Sequence, residues 1–565
     1  MDGWHRLAYN HCIMAAKSPY WNVLGLLILL LASCSAPSAP ADEPAPRSTT
    51  LATRQPAPAL TLTPLPLSSP TPAPGEITVS ISDAAAVLFA SGPDLPPGAR
   101  LARAGEQADW TLQPVSGAEE ALSTWVFALV APFPTITDNI PLADFRAAWR
   151  GQPPRAFAGR PLLMSANTLA ALESQFGAPS AGAVEVLEAG ALLETAWSEL
   201  PAWAVVPFDA LEPRWKVLAV GGMSPLDKTL DLRQYPLALH FGLSGTGKGS
   251  LPTGWIPASN RDPQKMTVLL MTGVTALARG TAERMESEGV TYPAEKIGGW
   301  LRAADLTHIS NEVSFYADCP APERRDPRFC SDAKYIELLE AVGTDIVELT
   351  GNHLMDWGAQ PFAETLSIYA EKGWGIYGGG ADLESARQAL LVEDHGNRIA
   401  FLGCNPAGPE TDWAGADTPG TAPCDYSWLA GEVARLRAQG YVVVVTFQHI
   451  EVCTLEPHLT QKADFQKPAD AGAAIVSGSQ AHCPQALQIG EGQFIHYGLG
   501  NLFFDQMDMF ASRVMLDRHV IYNGRHISTE LLTAQLEDRA QPRPMTLRER
   551  QKLLEDVFRA SGWIR

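Results

Sequence analysis

The sequence predicts an α/β protein built from two successive folded parts, and three observations predict it. From Met266 to the C-terminus, continuous apolar runs of strand length alternate with amphipathic runs of helix length, as buried strands do in layered α/β folds. A shorter α/β pattern occupies residues 77–242. The prolines, by contrast, gather ahead of both parts, with eleven between Ser35 and Glu76, in a composition that buries too little apolar surface to fold.

Residues 23–31, VLGLLILLL, are nine apolar residues, too few for the ~20 of a membrane-spanning helix but right for the core of a signal peptide. Leu31-Ala32-Ser33-Cys34 follows and resembles the bacterial lipobox, in which the cysteine is lipidated and becomes the mature N-terminus. An ordinary secretory signal with an incidental cysteine is the alternative, and both readings export the chain. The expectation is a lipoprotein signal peptide over 1–33 and a proline-rich tether over 34–76. The folded part is then extracytoplasmic, held at the membrane through Cys34. With 62 Asp and Glu against 42 Lys and Arg, net −20, the chain repels phosphate backbones, and no nucleic-acid partner is expected.

Of eight cysteines, Cys12 leaves with the leader and Cys34 takes the lipid. Cys319, Cys330, Cys404, Cys424, Cys453 and Cys483 remain and fall in sequence as three local pairs, although fifteen connectivities are open to six cysteines. None has the C-x-x-C spacing of a zinc site. In an oxidising compartment at least two bridges are expected; six buried thiols are the alternative.

Within 77–242, ITVSISD alternates as a half-buried strand and WVFALVAPFP reads as a buried one. Pro141 and Leu142 then open a short helix that stops at Gly151. This run resembles the hinge-proximal segment of periplasmic solute-binding proteins of the phosphate-binding type, and WAVVPFDALEPRWKVLAV is similar to their returning strand. The resemblance implies an α/β solute-binding-like domain over 77–242, with its ligand unread. GLSGTGKGS at 242–250 nearly spells a phosphate loop, but Gly249 replaces the metal-binding hydroxyl residue and prolines follow. It reads as part of an interdomain linker, 243–264.

Over 265–565, polar residues collect at the C-terminal ends of the apolar strands, the edge where α/β sites lie. ADLTHISNEVSF, DIVELTGNHLMDWG, GIYGGGADLESARQ, RIAFLGCNP and AGAAIVSGSQAHCPQ…FIHYGLGNLFFD, in this order, resemble the CapA family of capsule and poly-γ-glutamate synthesis proteins. That domain is similar to calcineurin-like metallophosphatases. The resemblance implies a four-layer αββα sandwich serving assembly or retention of an anionic polymer or polysaccharide beside polymer-synthesis proteins. It also implies a divalent metal (Mn, Zn or Fe) held by Glu312, Asn352, His353 and His482. Asp356, Gly358, Gly478, Leu499, Gly500 and Asn501 fall on other motif positions.

Departures from the family are as specific. Gly273-Val274 replaces the family's Gly-Asp, Phe447 stands where a histidine is expected before Glu451, and Gln480 replaces the first histidine of the late pair. Three ligands are gone, which argues against a full two-metal hydrolase. His449 shares a strand face with Phe447 and is a reserve ligand; Gln448, Gln480, Glu451, Asp356 and Asn501 are candidate polar binding residues. The first reading is thus a polymer-assembly protein with a partly degraded metal site. The alternatives are a metal-dependent envelope hydrolase of phosphoester or amide bonds, and a solute-binding sensor acting through 77–242.

Overall fold

A computed structural model describes residues 76–245, 251–507 and 510–564. The leader, Cys34 and all but the last residue of the tether lie outside the described residues. Among those described, no helix is long and apolar enough to cross a membrane. The architecture is mixed α/β throughout.

The first sheet lies within residues 77–245. Its path runs Ala99–Leu101, Ile77–Ile81, Trp110–Pro114, Ala238–Gly245, Ser123–Pro132, Ala204–Pro207, Leu162–Met164, Val184–Val186. The run WVFALVAP makes the pivotal strand Ser123–Pro132, buried on both faces. Its first half pairs Ala238–Gly245; its second half pairs Ala204–Pro207 and Trp215–Val220. Ser165 caps the helix Ala166–Phe176 by accepting from the Thr168 N–H, the ordinary use of such a serine. Residues 251–264 pack back onto this sheet rather than running free. Thr124 N–H donates to Ala258 O, and the buried Asn260 side chain bonds both N and O of Val126.

Two further sheets follow. One runs Gly375–Tyr377, Ile346–Glu348, Leu306–Asn311, Met266–Met271, Arg513–Tyr522, Arg525–Glu537, Gln541–Pro544, with Val274–Thr275 joining Leu306–Asn311 to Asn501–Phe503. The other runs Leu390–Asp394, Asn397–Cys404, Val442–Phe447, Ile475–Gly478, Gln493–His496, Leu487–Gly490. An apolar cluster joins them face to face, Leu269, Met271, Leu306 and Ile346 meeting Ile399, Phe401, Val442, Val444 and Ile475. On the outer faces, Leu338, Phe362 and Tyr369 of the helices Ile336–Ala341 and Ala359–Lys372 pack on one sheet. Leu429, Val433 and Phe465 of the helices Tyr426–Ala438 and Leu459–Asp470 pack on the other. The two-residue period of a strand divides VVVVTF between these layers: Val442 and Val444 face the partner sheet, whereas Val443, Val445 and Phe447 face the helices.

The first sheet is welded to the second. Met266, Val520, Tyr522 and Ile527 belong to the apolar core of the first sheet, and the rings of Phe208 and Tyr522 meet edge to face at 5.1 Å. The C-terminal tail docks on the fold through one apolar face. Leu547–Ala560 buries Leu553, Leu554, Val557 and Phe558 against Phe133, Phe494, Met515 and Leu531, and Arg550 bonds both carboxylate oxygens of Asp138 at 2.8 and 2.9 Å. Mixed charges occupy the rest of the helix surface. Disulfides join Cys319 to Cys330, Cys404 to Cys424 and Cys453 to Cys483.

Candidate functional site

Two parallel strand pairs, one in each of the two later sheets, end where the residues just beyond them converge. Glu312 follows Leu306–Asn311, Asn352 and His353 follow Ile346–Glu348, Gln448 follows Val442–Phe447, and Gln480 and His482 follow Ile475–Gly478. Gln448 is the hub. Its Nε2 donates to Asn352 Oδ1 at 2.9 Å, to Glu312 Oε2 at 3.2 Å and to Gln480 Oε1, while its Oε1 accepts from Ser479 Oγ at 2.7 Å. Close chain approach sets this arrangement, since a Cβ on Gly351 would lie 2.3 Å from Glu312 Cα.

Both histidines are oriented through Nδ1. His353 Nδ1–H donates to Asp356 Oδ2 at 2.7 Å, an oxygen that also accepts from the Phe329 N–H at 2.7 Å. His482 Nδ1–H donates to Asn501 Oδ1 at 2.8 Å, and Asn501 is itself fixed because its Nδ2 donates to Gln506 O and Ala511 O. Nε2 is left as the acceptor on each ring. Phe329 stacks on His353 with centroids 3.8 Å apart and Phe504 lies along His482 at 5.1 Å. Arg279, paired with Asp505, lies over both phenyl rings. Burial pulls the His353 imidazole down, but the Asp356 hydrogen bond and the charges of Glu312, Asp356 and Asp412 outweigh it and raise its pKa above the ordinary value.

Other expected residues lie elsewhere. Phe447 faces helix Leu459–Asp470 and stacks near Phe465 at 4.7 Å. His449 shares that face, as a strand period requires, and its Nε2 meets Asp464 Oδ2 at 2.9 Å. The reserve-ligand expectation is therefore corrected: the face that carries His449 points away from Glu312, and Gln448 is the residue that enters the site. Glu451 is exposed on the following turn.

Sequence reasoning missed Asp412. It ends the turn Glu410–Asp412 inside the loop bracketed by Cys404 and Cys424. The carboxyl is buried, its Oδ2 has no hydrogen-bond partner, and burial together with the Asp356 charge pushes it up to about 7 against the opposing pull of His353. The two flanking cysteines were the available signal, because a bridge across a Pro- and Gly-rich loop holds that loop in place. Glu348 was also missed. It lies beneath the site, taking hydrogen bonds from Thr350 Oγ1 at 2.6 Å and Ser479 Oγ at 3.2 Å, and burial raises its pKa.

The donor set was tested against the metal that the family resemblance implies. Val274, at the family's aspartate position, packs in an apolar cluster with Phe329 and Phe504. Gln448 turns N–H donors, which repel cations, toward Glu312, Asn352 and Gln480. Glu312 Oε1 is unpartnered. Among the described residues, however, the group of three or more His, Cys, Asp or Glu ligand atoms lying within 4.8 Å of one another is Asp305, Asp394 and His395, not Glu312, His353 and His482. The residues at the sheet edge thus do not fit a two-ion centre. The Asp305 group lies at the opposite end of its strand and already holds an ammonium, Lys228 Nζ standing 2.7 Å from Asp305 Oδ1 and 2.9 Å from His395 Nε2.

Comparison with known proteins gives a consistent picture. The "PGA biosynthesis protein CapA" of Bacillus subtilis is 27% identical over 237 residues, covering 41% of this chain and 62% of that protein. The chain therefore spans less than two thirds of that relative's length. The "Capsule biosynthesis protein CapA" of Bacillus anthracis is 22% identical over 320 residues, covering 54% of this chain and 77% of that one. Among solved structures, a 5'-nucleotidase precursor from Thermus thermophilus aligns at 13% identity over 52% of this chain and 59% of its own, with a TM-score of 0.28. Residues 268–506, the segment carrying every residue of the sheet-edge site, match the family described as bacterial capsule synthesis protein PGA_cap.

Proposed function

We propose that this chain is a membrane-anchored, extracytoplasmic protein of capsule, poly-γ-glutamate or exopolysaccharide assembly or retention. Its 265–565 part is read as a four-layer αββα sandwich, supported by the three apolar clusters between and outside its two sheets. Its site is read as one that binds rather than hydrolyses. The observation that carries this reading is the paired amides Gln448 and Gln480, set among Glu312 and Asn352 where a metallophosphatase-like site needs imidazoles. An amide presents N–H donors to its neighbours and holds a cation weakly. The similarity of residues 268–506 to capsule synthesis proteins supports the polymer context.

The test is metal content and phosphoesterase activity of the purified chain. Below about half an equivalent of Mn, Zn or Fe and no hydrolysis of a bis-aryl phosphate is the expected result. A full equivalent that is lost in His353→Ala, with hydrolysis, would replace this reading by the hydrolase one. The specific observation favouring that second reading is the orientation of His353 and His482, both held through Nδ1 with Nε2 left over.

A further inference from the structure

A second cluster of reactive side chains lies at the opposite end of the strands from the sheet-edge site, and it joins the two parts of the chain. Lys228, on the loop after strand Trp215–Val220 of the first part, meets Asp305, which precedes strand Leu306–Asn311, and His395, in the turn between Leu390–Asp394 and Asn397–Cys404. Its Nζ donates to Asp305 Oδ1 at 2.7 Å and to His395 Nε2 at 2.9 Å. Among the described residues, no other lysine ammonium holds a carboxylate and an imidazole together.

The imidazole is oriented as well as near. His395 Nδ1–H donates to Asp394 Oδ2 at 2.6 Å, and that oxygen also accepts from Thr267 Oγ1 at 2.7 Å. The tautomer is thereby set, with Nε2 as the acceptor that faces the amine. His395 stands at φ 48° in a two-residue hairpin turn, where asparagine or glycine is the usual choice, so the turn itself does not explain a histidine. Asp305 is held too, since its Oδ2 accepts the Val268 N–H at 2.8 Å.

An amine beside a base that is itself oriented by a carboxylate is the arrangement that activates a nucleophile. Here the electrophile is already in contact, because the Asp305 carboxyl lies against the same Nζ. Reactants held at such distances have a very high effective concentration, which favours their condensation. An ordinary surface ion pair requires neither the imidazole nor the second carboxylate.

We propose that Lys228 and Asp305 condense to an amide, a covalent lock between the two parts of the chain, with His395 as the base and Asp394 positioning it. His395 Nε2 takes one proton from the ammonium and passes it to Asp305 Oδ1, leaving an amine and a carboxylic acid. The Nζ lone pair then attacks Cγ, and the Val268 N–H, already on Oδ2, stabilises the charge that develops there. The Nζ–Cγ bond forms, the Cγ–Oδ1 bond breaks, and Oδ1 leaves as water with its own proton and a second one from Nζ. One proton stays on the amide nitrogen, and the two starting charges cancel. The Lys228 and Asp305 side chains are 22% and 21% exposed, which gives the water a way out.

The test is peptide mapping of the intact chain by mass spectrometry, after reduction of the disulfides and proteolysis. The expected result is a branched peptide that contains Lys228 and Asp305 and is lighter by one water than the two linear peptides together. Lys228→Arg and Asp305→Ala should each abolish it. His395→Asn, which suits the turn, should keep the Lys228–Asp305 pair and lower the yield of branched peptide at least about tenfold, a loss that a merely structural role for the ring would not produce. Recovery of only linear peptides from the parent chain overturns the proposal. A branched peptide formed as fully in His395→Asn as in the parent upholds the lock and overturns the role given to His395.

Discussion

At the scale of single residues, Asp412 makes its own prediction about stability. Its carboxyl is pushed up to about 7 in the folded chain, against about 3.9 for an unperturbed aspartate. The folded state therefore holds this proton more tightly than the unfolded state. Below the unfolded value both states are protonated and nothing is lost. As pH rises through the folded value the stabilisation disappears, because the buried carboxyl must ionise. Asparagine cannot ionise, so Asp412→Asn should melt a few degrees above the parent at pH 8 and level with it at pH 4; scanning calorimetry at the two pH values checks this. A second residue-scale prediction concerns the amides. Gln448→His with Gln480→His should raise zinc stoichiometry above that of the parent chain, read by elemental analysis after dialysis. Gln448 also shows where legibility in the sequence stopped. The motif order placed Glu312, Asn352, Gln480 and His482 in one region, but whether Phe447 or Gln448 enters the site is a question of which strand face meets the partner sheet. VVVVTF is apolar at every strand position except Thr446, so alternation gives no answer. The packing of Phe447 on Phe465 does.

At the scale of elements, apolar strands and capped helices were readable because continuous runs such as RIAFLGC and YVVVVTF are unambiguous in length and punctuation. The 405–424 loop was not readable, since its position depends on contacts distant in sequence and on a covalent closure. The docking of helix Leu547–Ala560 is hidden in the sequence for a related reason: its apolar stripe is narrow beside the charges that face solvent, and its partners, Phe133 and Phe494 among them, lie far away in the chain. The loop supplies a third prediction. Replacing Cys404 and Cys424 by alanine opens a loop of sequence separation 20, which in the chain-entropy account costs about 3 kcal/mol. Denaturant unfolding should show a loss of that order, and chemical labelling of the Asp412 carboxyl should become faster than in the parent, because the covalent closure of the loop is gone.

At the scale of the whole molecule, the two parts read from the sequence share their cores. The described residues from Glu76 onward form one compact unit by their contacts. Val520, Tyr522 and Ile527 of the second sheet are buried in the core of the first, Arg525 reaches Asp209 O at 2.9 Å, and Arg550 grips Asp138. Lys216, buried beside Asp138, donates to Thr135 O and Ile136 O at 2.6 and 3.0 Å and ties the same junction from within. Cutting the chain near residue 265 would uncover the apolar side chains of Val520, Tyr522, Ile527 and Phe558 at once, and each such group left in water costs roughly 1.5–3 kcal/mol. The piece 265–565 expressed alone should therefore bind a hydrophobic dye strongly, melt at least about ten degrees below the longer chain and tend to associate. The chain from residue 76 onward should instead unfold in one cooperative transition, with calorimetric and van't Hoff enthalpies in agreement. Two resolved transitions, or a 265–565 piece as stable and monomeric as the whole, would show that the shared core contributes little and that the parts fold independently.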